Sequence, residues 1–239
     1  MNLKHTAWFT ACVSIDMTTV MGIFFLHGLH NMPYLSKPLD EFITLDKHLN
    51  LLGMRFKISS GQIVPSDHLV QHEMTVVLQK GTVSIRRENQ KILLGLVQGP
   101  MIFGLGAAAS KVHNEYTLTA EADCCGYYLP AKDSLQCLEQ NQLWREAFYW
   151  MTWQIRMLEL RDQQLVGTNH YQQIRSTLFM MMSWDENIRG RIGVLNYIQQ
   201  RTGISRSVIA EVLSALRKGD YIQMEKGKLV GVTRLPSEY

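Results

Sequence analysis

Paired cysteine spacing is missing from this chain. Its four cysteines, Cys12, Cys124, Cys125 and Cys137, form no C-x-x-C motif, which excludes a zinc ribbon and favours a reduced, cytoplasmic set over a disulfide framework. Equally absent are a phosphate-cradling glycine loop, a paired metal-ligand motif and a G-x-S-x-G elbow. Nothing therefore groups the histidines and acids into an active site, and no catalytic, metal or cofactor-binding residue is assigned. Prolines number only six, with no low-complexity tract, so long disordered linkers are not expected. Long uninterrupted apolar runs are missing too. Residues 6–30 are rich in apolar side chains, but Asp16 and scattered Ser, Thr and His break the run, which falls short of a membrane span. Residues 1–31 read as a weakly structured extension, with Met32 as an alternative start.

What is present is an ordinary globular composition. The 239 residues are 46% hydrophobic and 19% charged, with a net charge of +3, enough for one large or two small domains. The charge is uneven. Residues 187–235 carry nine Lys/Arg against three acids, a net of +6, so the remainder is acidic. Positive charge concentrated on a small module is the electrostatic footprint of phosphate binding.

The pattern within that module is specific. Ile192, Val194, Leu195 and Ile198 mark one short helix, Gly203 ends it, and Ser205 is placed to cap the next. From Ser205 to Lys218, Val208, Ile209, Val212, Leu213 and Leu216 fall at helical spacing, leaving Arg206, Ser207, Ala210, Glu211 and Arg217 on the free face. Two strand-like runs, 221–224 and 228–232, then flank Glu225-Lys226-Gly227, a hairpin turn. Helix, turn, helix and basic hairpin make a winged helix-turn-helix, whose mechanical job is to lay one helix in the DNA major groove. The expected DNA-binding residues are Ser205, Arg206, Ser207, Ala210, Glu211, Arg217, Lys226 and Lys228.

Upstream, residues 51–130 show short runs punctuated by turns, the signature of a β-sandwich or barrel. Residues 132–166 then contain no proline or glycine and read as one continuous helix. Leu143, Ala147, Trp150, Gln154, Leu158 and Leu165 make a seam near heptad spacing, while Trp144, Phe148, Met151, Trp153, Ile155 and Leu160 add apolar surface elsewhere. A helix apolar on more than one face must be buried on more than one side. Packing one side on the sandwich and the other on a twin helix predicts a homodimer. A further helix is expected over 169–183.

This order of parts resembles the Crp/Fnr family of bacterial transcription regulators over about residues 40–235. The residues that carry the resemblance are V-L-x-x-G-x-V-x-I at Val77–Ile85, the segment from Gly95 to Phe103-Gly104, and S-R-S-V-I-A-E-V-L at Ser205–Leu213. The resemblance implies an α+β chain: a cyclic-nucleotide-binding-like β-roll (jelly roll) at 32–131, a long dimerisation helix at 132–166, and a winged helix-turn-helix at 167–239. It implies double-stranded DNA and a second copy of the chain as partners, with RNA polymerase as a candidate third and no membrane. In the family the residues matching Ser205, Arg206 and Ser207 open the recognition helix. Ser207 stands where a cytosine-reading glutamate is found in the cyclic-AMP receptor, and Glu211 where an arginine reaches the bases, so a different operator is implied.

The sensor departs further from the family. A cyclic-nucleotide pocket needs an acid after Phe-Gly for the ribose and an arginine beyond it for the phosphate. Leu105 or Gly106 stands at the first position and Asn114 or Glu115 at the second, with Lys111 poorly placed to compensate. Burying a phosphate without its cation is costly, so cyclic AMP is not expected to bind. An iron–sulfur sensor would need several N-terminal cysteines, and only Cys12 lies there. His68, His72 and His113 read as surface residues rather than haem ligands. Cys124 and Cys125, adjacent in a strand, point to opposite faces, and with Cys137 they read as structural. The competing function is a protein-docking module that uses the winged helix without specific DNA binding; exposed Glu211 favours it slightly.

Overall fold

The computed structural model describes residues 36–64, 74–87, 92–109 and 116–237. The chain divides into two units, Met1–Met32 and Pro33–Tyr239. The expected extension at 1–31 lies outside the described residues, as do His68, His72, Lys111, His113 and the Asn114–Glu115 pair.

Helix α1 (Leu39–Leu49) leads into β1 (Met54–Ile58), β2 (Met74–Lys80), β3 (Thr82–Arg87), β4 (Ile92–Gln98), β5 (Met101–Phe103), β6 (Tyr116–Ala120) and β7 (Cys124–Pro130). These strands build two antiparallel sheets, ordered β1-β7-β2-β5 and β4-β3-β6. The core contains Val77, Leu78, Val83, Ile102, Tyr127 and Leu129, joined by Leu45 and Leu49 of α1. Burial of each such side chain is worth about 1.5–3 kcal/mol. Asp46 fixes α1 to the sheet by accepting from the Tyr127 hydroxyl at 2.8 Å and from Gln79 Nε2 at 3.1 Å.

β3 breaks the usual rule for a one-sided antiparallel strand. Thr82, Val83 and Ser84 are all buried, so both faces of the strand are covered. Successive side chains point to opposite faces, and the second cover comes from the C-terminal module described below.

Gly104 is the clearest conformational requirement of the roll. Its φ is +68°, and a Cβ there would sit 2.2 Å from the carbonyl oxygen of Met74. Gly104→Ala must both strain the backbone and push β2 away. It is expected to cost about 2–4 kcal/mol, read as a lowered urea midpoint at unchanged slope.

The segment expected as one helix over 132–166 is two. Helix α2 (Ala131–Gln140) ends and α3 (Trp144–Leu165) begins after a tight turn. Gln142 takes φ +55°, its N–H donates to the Glu139 carbonyl, and Leu143 N–H donates to Leu138 O at 2.9 Å. That is a Schellman cap, with its usual apolar contact supplied by Leu138 and Leu143, both buried. A glutamine occupies the position where glycine is the common signal, so the sequence carries no visible break.

α3 is held to the roll by one face. Trp150 is fully buried and its Nε1 donates to Ile102 O at 3.3 Å; Gln154 Nε2 reaches the same carbonyl at 2.8 Å. Leu143 and Ala147 are buried on this side as well. The series Trp144, Phe148, Met151, Ile155 and Leu158 is exposed instead. The first four members of the expected seam, Leu143, Ala147, Trp150 and Gln154, face the roll, while its fifth, Leu158, lies with the exposed series.

Helix α4 (His170–Met182), the short α5 (Glu186–Arg189), α6 (Val194–Thr202), α7 (Arg206–Lys218) and the hairpin β8 (Ile222–Glu225) and β9 (Lys228–Val232) complete the described chain. They share a second core centred on Tyr171, Ile174, Leu178, Val194, Ile198 and Ile209. Leu93 of β4 belongs to this core too, so the roll and the C-terminal module are packed together along β4.

Candidate nucleic-acid interface

The turn between α6 and α7 is set by three residues. Gly203 adopts φ +76° at the end of α6, a left-handed cap that glycine takes without steric cost. Ile204 is buried and anchors the turn. Ser205 then caps α7, its side chain accepting from Val208 N–H at 3.4 Å. Ile209, Val212, Leu213 and Leu216 bury one face of α7. The opposite face presents Arg206, Ser207, Ala210, Glu211, Ser214 and Arg217, all exposed.

Arg206 is not free on that face. Its Nη1 donates to Asn196 Oδ1 at 2.6 Å and to Gln199 Oε1 at 3.3 Å, both on α6. These amides steer the guanidinium without neutralising it. Asn196 and Gln199 escaped the sequence reading, because neither type signals a DNA role and only the packing of α6 on α7 brings them to Arg206. Ser205 and Ser207 hydroxyls lie 3.1 Å apart.

The hairpin is a tight wing. Lys226 and Gly227 both have positive φ, +46° and +78°, the type I′ combination that joins twisted antiparallel strands. Lys226 projects into solvent at the tip. Lys228 is half-buried, and its ammonium donates to the Arg191 carbonyl. Of the eight expected residues, seven are exposed; Lys228 is committed to holding the wing against the start of the module. Val194 N–H reinforces this link through Gly227 O at 3.0 Å.

Behind the interface, α6 docks on β4. Arg201, 5% exposed, donates to Leu94 O at 3.2 Å and to Gln164 Oε1 at 3.1 Å. Arg161 Nε shares the Leu94 carbonyl at 3.2 Å, and Arg86 Nη1 donates to Gln200 Oε1 at 3.1 Å. Burial holds both Arg161 and Arg201 below the usual guanidinium range; repulsion from Arg87 adds to this at Arg161, and repulsion from Arg161 adds to it at Arg201. The C-terminal tail closes the module: Leu235 is buried, and the Tyr171 hydroxyl donates to Pro236 O at 2.8 Å.

Cys124 and Cys125 lie in β7 and Cys137 in α2, away from this surface. Burial pushes the thiols of Cys124 and Cys137 up, which lowers the thiolate fraction that reacts with oxidants. In the native protein at neutral pH, both are expected to react with iodoacetamide at least about 100-fold more slowly than after denaturation. Peptide mass mapping over time measures this directly; fast native labelling of either would contradict it.

Comparison with known proteins agrees with this geometry. Residues 170–237, from α4 to the tail, match a family described as winged helix-turn-helix DNA binding. Over 203 residues, 85% of this chain and 98% of the relative, the sequence is 55% identical to the inhibitor of hydrogen peroxide resistance of Escherichia coli strain K12. In fold the chain is similar to the c-di-GMP-responsive global regulator CLP of Xanthomonas campestris, with a TM-score of 0.61 and 16% identity over 79% of this chain and 98% of that one. A Crp/Fnr-family transcriptional regulator from Eubacterium rectale gives a TM-score of 0.59 at 15% identity, over 79% and 89% of the respective chains. With its β-roll, capped recognition-type helix and wing in this arrangement, the chain belongs to the family of the inhibitors of hydrogen peroxide resistance, built on the Crp/Fnr regulator fold.

Proposed function

We propose that this protein is a cytoplasmic, dimeric, sequence-specific DNA-binding transcription regulator that lowers resistance to hydrogen peroxide. The observation that carries the DNA reading is the exposed, Ser205-capped face of α7, with Arg206 steered by two amides and the Lys226 wing beside it. A guanidinium so presented can read guanine bidentately, while Lys226 at the wing tip meets phosphate. The peroxide effect is taken from what the relatives are called. The dimer rests on the exposed apolar series of α3, which a single chain leaves in water.

The roll serves here as a sensor that has lost cyclic-nucleotide binding. Leu105, at the position where the ribose-binding acid is wanted, is 2% exposed, and a buried leucine offers the sugar no acceptor. A Cβ on Gly106 would lie 3.1 Å from the Met151 side chain of α3, leaving little room for a larger polar group there.

Selection of bound sites from randomised duplex DNA tests the proposal. A two-fold-symmetric motif is expected, since paired recognition helices read half-sites one helical turn apart. Absence of any enriched motif at moderate salt would instead support protein docking through the α7 face, where Glu211 is exposed.

A further inference from the structure

Between the outer face of the β4-β3-β6 sheet and α5–α6 lies a cleft of about 280 Å³. Its apolar lining is Leu93 and Leu96 from the roll and Ile188, Ile192 and Tyr197 from the C-terminal module. Its charged lining is Arg86 and Arg191 against a single acid, Glu121, and amides come from Asn187, Asn196 and Gln200. An apolar bed with an excess of guanidinium suits a ligand that is apolar at one end and anionic at the other. Its volume, at the small end for a ligand pocket, limits that ligand to a small molecule. The cleft is separate from the roll interior, where the nucleotide-type pocket would lie.

Two hydrogen bonds connect this lining to Arg206 and to the wing. Asn196 accepts from Arg206 at 2.6 Å, and the carbonyl of Arg191 accepts from Lys228 of the wing. Val194, next to the lining residue Gly193, holds the Gly227 carbonyl of the wing turn at 3.0 Å.

We propose that this cleft binds a small organic carboxylate with an apolar body, and that its occupancy weakens DNA binding through Asn196 and Arg191. The coupling rests on the regulator reading above; the binding does not. A carboxylate on Arg86 and Arg191 cancels positive charge beside the DNA face. By accepting from Asn196 Nδ2 it also pulls on the amide whose Oδ1 orients Arg206. Coupling is reciprocal, so DNA must weaken the carboxylate by the factor by which the carboxylate weakens DNA.

The probe is benzoate, titrated calorimetrically into the full chain, with benzylamine as a cation of similar shape. Benzoate is expected to bind saturably with a Kd of about 1 mM or tighter, and benzylamine not to bind. The double variant Arg86→Gln/Arg191→Gln should weaken benzoate at least about 10-fold, and Leu96→Trp, which fills the cleft, should abolish uptake. Melting curves of both variants check that each is folded. Absence of saturable binding overturns the site, as do equal uptake of benzylamine and uptake indifferent to both folded variants. Anisotropy on the selected duplex reads the coupling: saturating benzoate should weaken wild-type binding at least about 5-fold and leave the double variant unchanged. Benzoate binding with unaltered DNA affinity overturns the coupling. A chain that binds no duplex with or without benzoate sinks the regulator reading, while calorimetry still decides the cleft.

Discussion

The double substitution Phe148→Glu/Ile155→Glu is expected to turn the proposed dimer into a folded monomer. Both side chains stand exposed on α3, at 68% and 53%, in the series that continues through Trp144, Met151 and Leu158. Steps of four, three, four and three residues keep this series on one stripe of the helix, as a two-helix seam requires. Two twin helices meeting there would bury a carboxylate against apolar partners at each site, which costs several kcal/mol when the charge is unpaired. Within one chain the same substitutions disturb little, because these side chains touch solvent rather than core. Sedimentation equilibrium should therefore show half the wild-type mass with a melting temperature shifted by only a few degrees. Affinity for a two-fold operator should fall at least about 100-fold, since the second half-site no longer benefits from linkage. A variant that stays dimeric would place the contact elsewhere; a variant that unfolds would show the series to be part of the core.

Arg206→Ala carries the second large effect. Removing a guanidinium that reads a base bidentately costs about 1–3 kcal/mol, or roughly 5- to 150-fold in affinity, and relaxes preference at that one base pair. Lys226→Ala, at the wing tip, should act differently. It should weaken all sequences by a similar factor and reduce the salt slope by about one phosphate contact. Asn196→Ala separates position from charge: the guanidinium remains, but loses its 2.6 Å acceptor. Part of the specificity lost in Arg206→Ala should disappear in that variant too, with most of the affinity kept. Anisotropy on the selected operator and on single-base variants measures all three. An Arg206→Ala protein with unchanged operator preference would remove this residue from base reading and return weight to a docking surface.

The winged helix was legible because its signals are local. The spacing of Val208 to Leu216 fixes the buried face of α7, Gly203 and Ser205 fix its entry, and Lys226-Gly227 fixes the wing. Each depends on residues within a few positions of one another, where backbone geometry decides. The break at Gln142 was illegible for the opposite reason. A glutamine in a left-handed cap costs about 1–2 kcal/mol relative to ordinary helix geometry, and it is tolerated because Leu138 and Leu143 bury themselves when the chain turns there.

By itself, the sequence determined that the apolar residues of α3 exceed a single stripe. Which stripe meets the roll was decided by tertiary structure alone. Trp150 and Gln154 share the Ile102 carbonyl, and that pair of hydrogen bonds sets the rotation of the whole helix, turning Phe148 and Ile155 outward. The same holds for the docking of α6. Nothing in the pattern of residues 194–202 announces that Arg201 will be buried against Leu94, far away in sequence. Periodicity records how much surface must leave water. Only the assembled chain shows which surfaces meet, because apolar burial is non-directional, and the partner is chosen by shape and by the hydrogen bonds that each buried polar group must find.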